Sequence, residues 1–199
     1  LLVNGIQGIV LVLFFLSLFL RPRLAMWVAF GLPISFLGMF MFVNMLDVTI
    51  NVLSLFGMII VIGILVDDGI VIAENIFQHY EMGKTRVKAA IDGTMEVVPA
   101  ITSAILTTMI AFSTFFYLDG RIGEFFMEVT IVVMLTLGFS LLEAFIILPA
   151  HIAHSKVLTA GQKTYRFNKW GDKIMDGMRD KFYTPILRWC LAYKPIAFA

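Results

Sequence analysis

Long apolar runs, separated by short polar stretches, dominate the chain from its first residues to its last. Five of them reach the roughly 20 mostly apolar residues that a helix needs to cross about 30 Å of hydrocarbon: about 3–20, 24–44, 52–73, 97–118 and 125–150. A sixth begins near Pro185 and runs to Ala199. Backbone groups cannot go unpaired in lipid, so runs of this kind are helices rather than open strands. The pattern predicts an all-α membrane protein, a polytopic bundle over 1–155 with five full spans, followed by the start of another span over 185–199. Between them, 156–184 reads as a cytoplasmic linker and an interfacial helix. There Phe167, Trp170, Ile174, Met178 and Phe182 recur at spacings of three and four, with Lys169, Lys173, Arg179 and Lys181 around them. Such a helix lies in the headgroup region or packs on the ends of the spans. A shorter cytoplasmic helix is expected over about 84–92, capped by Thr85 and stopped at Gly93. Pro99 then suits the first turn of the fourth span, and Pro149 marks the end of the fifth.

Charge orients the spans. Arg21 and Arg23 occupy the first connection, Lys84, Arg86 and Lys88 the third, and eight Lys or Arg residues from Lys156 to Arg188 follow the fifth span. Alternation puts these regions on one side; the other carries Arg121 beside Asp47 and Asp119. The basic side is cytoplasmic by the positive-inside rule. Composition agrees: 60% of residues are hydrophobic and 15% charged, against about 25% charged in a soluble domain. The net charge of +1 gives no basis for nucleic-acid binding, and the single Cys190 excludes an intramolecular disulfide and a thiolate cluster. No cofactor motif occurs. His79, His151 and His154 lack ligand spacing to Cys or carboxylates, so no metal site is expected. The chain starts at Leu1 at the edge of a span, and its basic residues follow the first apolar run. It reads as a piece of something larger rather than as a signal peptide and its product.

The chemistry sits in the third span, where Asp67 and Asp68 interrupt the run from Val52 to Ala73. The residues before them are too few to cross alone, so both aspartates lie inside the span, about 20–25 Å from its outer end at about 1.5 Å per residue. An aspartate near a helix centre costs about 2.5–3.5 kcal/mol on insertion scales. Residues this costly face a bundle interior or a wet cavity and have a function. Adjacent carboxylates on one helix fan apart by about 100° and titrate as a coupled pair. A carboxyl that gains and loses a proton in mid-membrane is what a proton relay requires; a neutral, hydrogen-bonded structural pair is the alternative. Glu143, near the inner end of the fifth span, is a candidate secondary step toward the cytoplasm, with Thr102 and Thr107 on the fourth. Ordinary packing of the threonines and a snorkelling acid are the competing readings. Glu74 and Asn75 are expected at the interface, and Gly57, Gly63 and Gly69 as close-packing positions.

The run from Gly57-Met58 through Gly63-Ile64-Leu65-Val66-Asp67-Asp68-Gly69-Ile70-Val71 to Glu74-Asn75 resembles the fourth transmembrane helix of resistance–nodulation–division (RND) transporters, in the hydrophobe/amphiphile multidrug efflux branch. Phe19-Leu20-Arg21, Ala89-Ala90 and Leu148-Pro149-Ala150 match the flanking helices in order. The resemblance implies helices two to six and the start of seven of a proton/drug antiporter of the bacterial inner membrane, with Asp67 and Asp68 as the proton-translocating pair. It further implies partners: lipid, protons, and a second half that supplies a lysine to the aspartates. A homotrimer, a periplasmic adaptor and an outer-membrane channel belong to the same implication. Gly69 stands where alanine is common in the family, a small-for-small change. An RND relative that exports heavy metals, lipids or proteins, or a non-transporting scaffold or sensor, is the alternative function. Intramembrane aspartyl proteolysis needs carboxylates on facing helices, which consecutive residues cannot supply, so no enzyme is expected.

Overall fold

In a computed structural model, which describes residues 2–19, 21–43, 45, 50–155, 158 and 176–192, the apolar runs are all helical. α1 spans Leu2–Phe19, α2 Pro22–Val43, α3 Val52–Glu81 and α4 Arg86–Ser113, with a 3₁₀ turn Thr114–Tyr117. α5 spans Gly120–Leu142 and continues through a π-helical segment Glu143–Ile147 into α6, Leu148–His154. A second π segment, Arg179–Tyr183, leads into α7, Thr184–Ala192. No strand occurs among the described residues. The helical rods Pro22–Val43, Val52–Glu81, Arg86–Tyr117 and Gly120–His154 are each long and apolar enough to cross a membrane. Their outward surfaces carry Leu37, Met41, Ile59 and Ile110, each more than 60% exposed, an apolar coat that only lipid or further protein can cover. The chain is an all-α, multi-pass membrane protein.

It divides into two compact units, Leu1–Pro22 with Gly161–Ala199, and Arg23–Ala160. In the first, Phe14 and Phe15 of α1 meet edge to face, and Arg179 bridges Asp176 and Asp180. The expected amphipathic helix falls mostly on 161–175, outside the described residues; Met178 and Phe182 on its far side are helical and exposed.

The second unit is knit by close approaches at small residues, the usual basis of helix association in lipid. α2 runs antiparallel to α5–α6. Trp27 stacks on His151 at 4.7 Å, Gly31 faces Glu143, Gly38 and Phe42 face Phe139, and Met39 and Val43 meet Val132. α3 runs parallel to α5. At its outer end Asn51 accepts from the Leu53 and Ser54 amides, Ser54 Oγ closes the capping box, and Asn51 Nδ2 donates to Glu128 of α5. Deeper, Gly57 packs on the Val129 backbone and the Val132 side chain. One asparagine thus ends α3 and anchors it to α5. Asn51→Ala is expected to lower stability by about 1–2 kcal/mol, the scale of a lost N-cap, seen as a lower Tm in detergent. An unchanged Tm would mean that the cap is replaced locally.

Two boundaries differ from the sequence expectation. α4 does not stop at Gly93 but runs unbroken from Arg86 through Pro99 to Ser113. Gly93 is there because α3 crosses at that point, not because a helix ends. A Cβ on Gly93 would lie 2.8 Å from the Ile76 Cα and 2.9 Å from its amide nitrogen. Pro149 likewise lies inside a continuous rod to His154. The π segment before it explains this, since Leu148 N–H reaches back five residues to the Glu143 carbonyl. The wider turn relieves the clash that a proline ring makes with the carbonyl four residues back.

Candidate functional site

α3 continues past Glu74 and Asn75 to Glu81, so Asp67 and Asp68 lie well inside a 30-residue helix. The two side chains differ in surroundings. Asp67 is exposed on the unit's outer face, whereas Asp68 is half-buried. Asp68 Oδ2 is buried and has no hydrogen-bond partner among the described residues. A buried polar atom left unpaired costs about 1–3 kcal/mol, more when charged. Next to it, Gly69 allows α2 to close in: a Cβ there would meet Val28 Cγ1 at 2.9 Å. The glycine therefore sets the spacing of α2 and α3 beside the aspartates. Position 69 tolerates alanine only if Val28 gives way.

The register of α3 against α5 fixes which residues share the aspartates' depth. Gly57 lies against Val129 and Val132. Moving eleven residues along both parallel helices leads from Gly57 to Asp68, and from Val129 and Val132 to Ser140 and Glu143. α2 gives the same level independently: Gly69 packs at Val28 and Glu143 at Gly31, one turn apart on α2 and about 5–6 Å between side-chain roots. Glu143 therefore stands level with Asp68, rather than nearer the cytoplasm as the sequence suggested. It is the sole acidic residue among the buried polar and charged side chains described, 7% exposed.

The α4 threonines have different surroundings. Thr107 is exposed and its hydroxyl donates to the Ser103 carbonyl of its own helix; Thr108 bonds the Ala104 carbonyl likewise. Thr102 is half-buried. Among the described residues, no group of His, Cys, Asp or Glu converges into a metal-binding cluster. His151 and His154 donate from Nδ1 to the Ile147 and Ala150 carbonyls of their own helix.

A polar chain that sequence spacing did not reveal joins the C-terminal end of α3 to the N-terminal end of α4. Asn75 Nδ2 donates to the Gly93 carbonyl at 2.7 Å and to Glu96 at 3.3 Å. His79 Nε2 meets Glu96 at 2.6 Å, and Lys84 Nζ meets both His79 Nδ1 at 2.8 Å and Asp92 at 2.7 Å. An ammonium only donates, so His79 Nδ1 accepts and its Nε2 carries the proton to Glu96. The Lys84 bond holds the Asp92 carboxyl below the usual carboxylate range, and the His79 and then Asn75 donors do the same for Glu96. Depressed carboxylate pKa values contribute stability above the unfolded-state values and lose it as pH falls through the folded ones. Acidification below the ordinary carboxylate range is therefore expected to loosen this junction while the apolar spans hold. Hydrogen exchange at 78–92 would accelerate selectively; uniform protection down to pH 3 would show that the chain of bonds is dispensable.

Comparison with known proteins adds a common pattern. The model of the AcrB/AcrD/AcrF family matches residues 2–199. Multidrug resistance protein MdtC of Photorhabdus laumondii is 33% identical over 194 residues, 96% of this chain and 18% of that protein. MdtC of Citrobacter koseri is 29% identical over 191 residues, and swarming motility protein SwrC of Bacillus subtilis 28% over 200, with the same coverage. The chain thus spans 18% of the length of these curated relatives.

Proposed function

Because the chain belongs to the AcrB/AcrD/AcrF family of RND multidrug efflux transporters, we propose that it forms part of the membrane domain of a proton-driven efflux pump, with Asp67 and Asp68 as its proton-binding pair. The observation that carries this reading is the buried Oδ2 of Asp68, without a hydrogen-bond partner among the described residues, beside an exposed Asp67 in the apolar run from Val52 to Ala73. Together they give an acid that can be reached and an acid that is sheltered, on consecutive residues. The sheltered carboxylate is costly when charged and relieved by a proton or by a cationic partner. In the complete pump that partner is a lysine from the remainder of the transporter. Alternation between the two neutralised states lets proton entry drive a change in helix packing. The setting is the bacterial inner membrane. The assembly is a homotrimer that meets a periplasmic adaptor and an outer-membrane channel. The cargo is a drug-like amphiphile, in keeping with what the MdtC relatives are named for.

The test is proton coupling in the complete transporter, reconstituted in proteoliposomes. An imposed pH gradient is expected to drive dye transport and to be dissipated by it. Transport that is indifferent to a protonophore would sink the antiport reading, and absence of any transport would favour a scaffold or sensor.

A further inference from the structure

Glu143 is the buried acid that the coupling pair leaves unused. Its side chain lies on bare backbone: a Cβ at Gly31 would fall 2.5 Å from Oε1, 2.7 Å from Cδ and 2.8 Å from Oε2. Its own backbone opens the π segment Glu143–Ile147 that accommodates Pro149, a local widening of a kind often found at functional sites. Two independent registers, α3 against α5 and α2 against both, put it at the depth of Asp68. We propose that Glu143 is a third proton-binding carboxyl of the membrane domain, seated by the glycine at position 31, and that it loads and unloads a proton during transport. This rests on the reading of the domain as proton-driven.

The surroundings support a group that titrates separately from the pair. α2 carries no charged residue beyond Arg23, at its cytoplasmic end, and α4 carries none between Val97 and Tyr117. On α3 the half-buried Asp68 lies at the same level, while Asp67 and, further along the helix, Glu74 are exposed. α5 has Arg121, Glu124 and Glu128 toward its outer end, and α6 has His151 and His154 toward the cytoplasm. Among the described residues of this unit, no lysine or arginine stands at that depth to hold Glu143 permanently ionised. The three carboxyls do not converge into a metal-binding group.

Gly31 makes the proposal testable without destroying the fold. A methyl group at 31 would meet the movable end of Glu143, not a backbone, so G31A displaces the carboxyl and leaves the helices in place. The experiment is infrared difference spectroscopy of the complete transporter in lipid, titrated with pH and read at the protonated-carboxyl band, alongside the pH profile of dye efflux. Glu143→Gln is expected to delete one carboxyl titration step and to shift the efflux profile by about one pH unit, a tenfold change in proton affinity. Glu143→Asp restores a titrating band, and G31A keeps the band but moves its midpoint. The same step persists in the D67N/D68N double variant, which separates this inference from the coupling pair. If efflux survives in that double variant, the pair reading fails while the Glu143 band is still readable. Identical spectra for E143Q and wild type would overturn the proposal. So would a deleted band with an unmoved efflux profile, because the carboxyl would then be structural. Should E143Q fail to accumulate, an unmoved midpoint in G31A would overturn it equally.

Discussion

Replacing Asp68 with asparagine is expected to reduce proton-coupled efflux by about a hundredfold or more, the scale of removing a proton-transferring side chain, while the protein accumulates at least as well as wild type. The two halves of that result come from one cause. Asparagine keeps the size and much of the polarity of aspartate but cannot be ionised. It therefore removes a group that disfavours insertion by about 2.5–3.5 kcal/mol near a helix centre. It also removes the half-buried group at that depth of α3 that can hold a proton reversibly. A structural carboxyl would behave in the opposite way, with stability falling and transport surviving in proportion to the folded fraction. Asp67→Asn is expected to reduce efflux as well, since in the proposed relay the exposed member of the pair is the proton's way in and out. Membrane insertion and trimer formation serve as the checks, and retained efflux in either single variant would refute its role.

The second large effect is on assembly. Gly93→Val is expected to prevent stable packing of α3 on α4, because every atom that the new side chain meets first is backbone. The Ile76 Cα and nitrogen lie 2.8 and 2.9 Å from the Cβ position and the Asn75 carbonyl carbon 3.1 Å. A flexible side chain could step aside, but two helix axes must separate. Overpacking a well-fitted core costs about 1–3 kcal/mol, and here separation would also break the Asn75 bond to the Gly93 carbonyl. Gly63→Ala is the control. That position has nothing within 4 Å of a Cβ, and alanine is worth about 0.5–1 kcal/mol over glycine inside a helix. Thermal unfolding in detergent should order the variants G93V well below wild type, and G63A at or above it. Equal melting of G93V and wild type would show that the crossing is not tight.

How much of this was legible beforehand depends on the range of the forces involved. The helices are written in apolar runs, which act locally and are legible directly, and their orientation rests on loop charges alone. The double aspartate was equally plain, because one insertion-costly group in an apolar run is visible without any partner. Gly93 misled because a glycine after a short helical stretch looks like a C-cap, whereas its reason is a neighbour seventeen residues earlier in the chain. Pro149 misled because nothing local announces the π turn that accommodates it. The His79–Glu96 bond and the Gly31–Glu143 contact join residues 17 and 112 positions apart, so no spacing rule could find them. Glu143 stands out in the sequence as an acid in a span, but its depth follows from helix registers and not from its distance to the end of an apolar run.

Five hydroxyls along α4 and the 3₁₀ turn after it turn inward upon their own chain. Ser103 bonds the Pro99 and Ala100 carbonyls, Thr107 the Ser103 carbonyl, Thr108 the Ala104 carbonyl, Ser113 the Ile110 carbonyl and Thr114 the Ala111 carbonyl. Ser103 and Thr107, with Leu106 and Ile110 beside them, present to the outside a flank of methyl groups and spent donors. Such a flank grips nothing in a fixed direction. Whatever lies along it, acyl chain or another helix, meets shape there and no directed bond, so the fit on that side of α4 is one of packing alone.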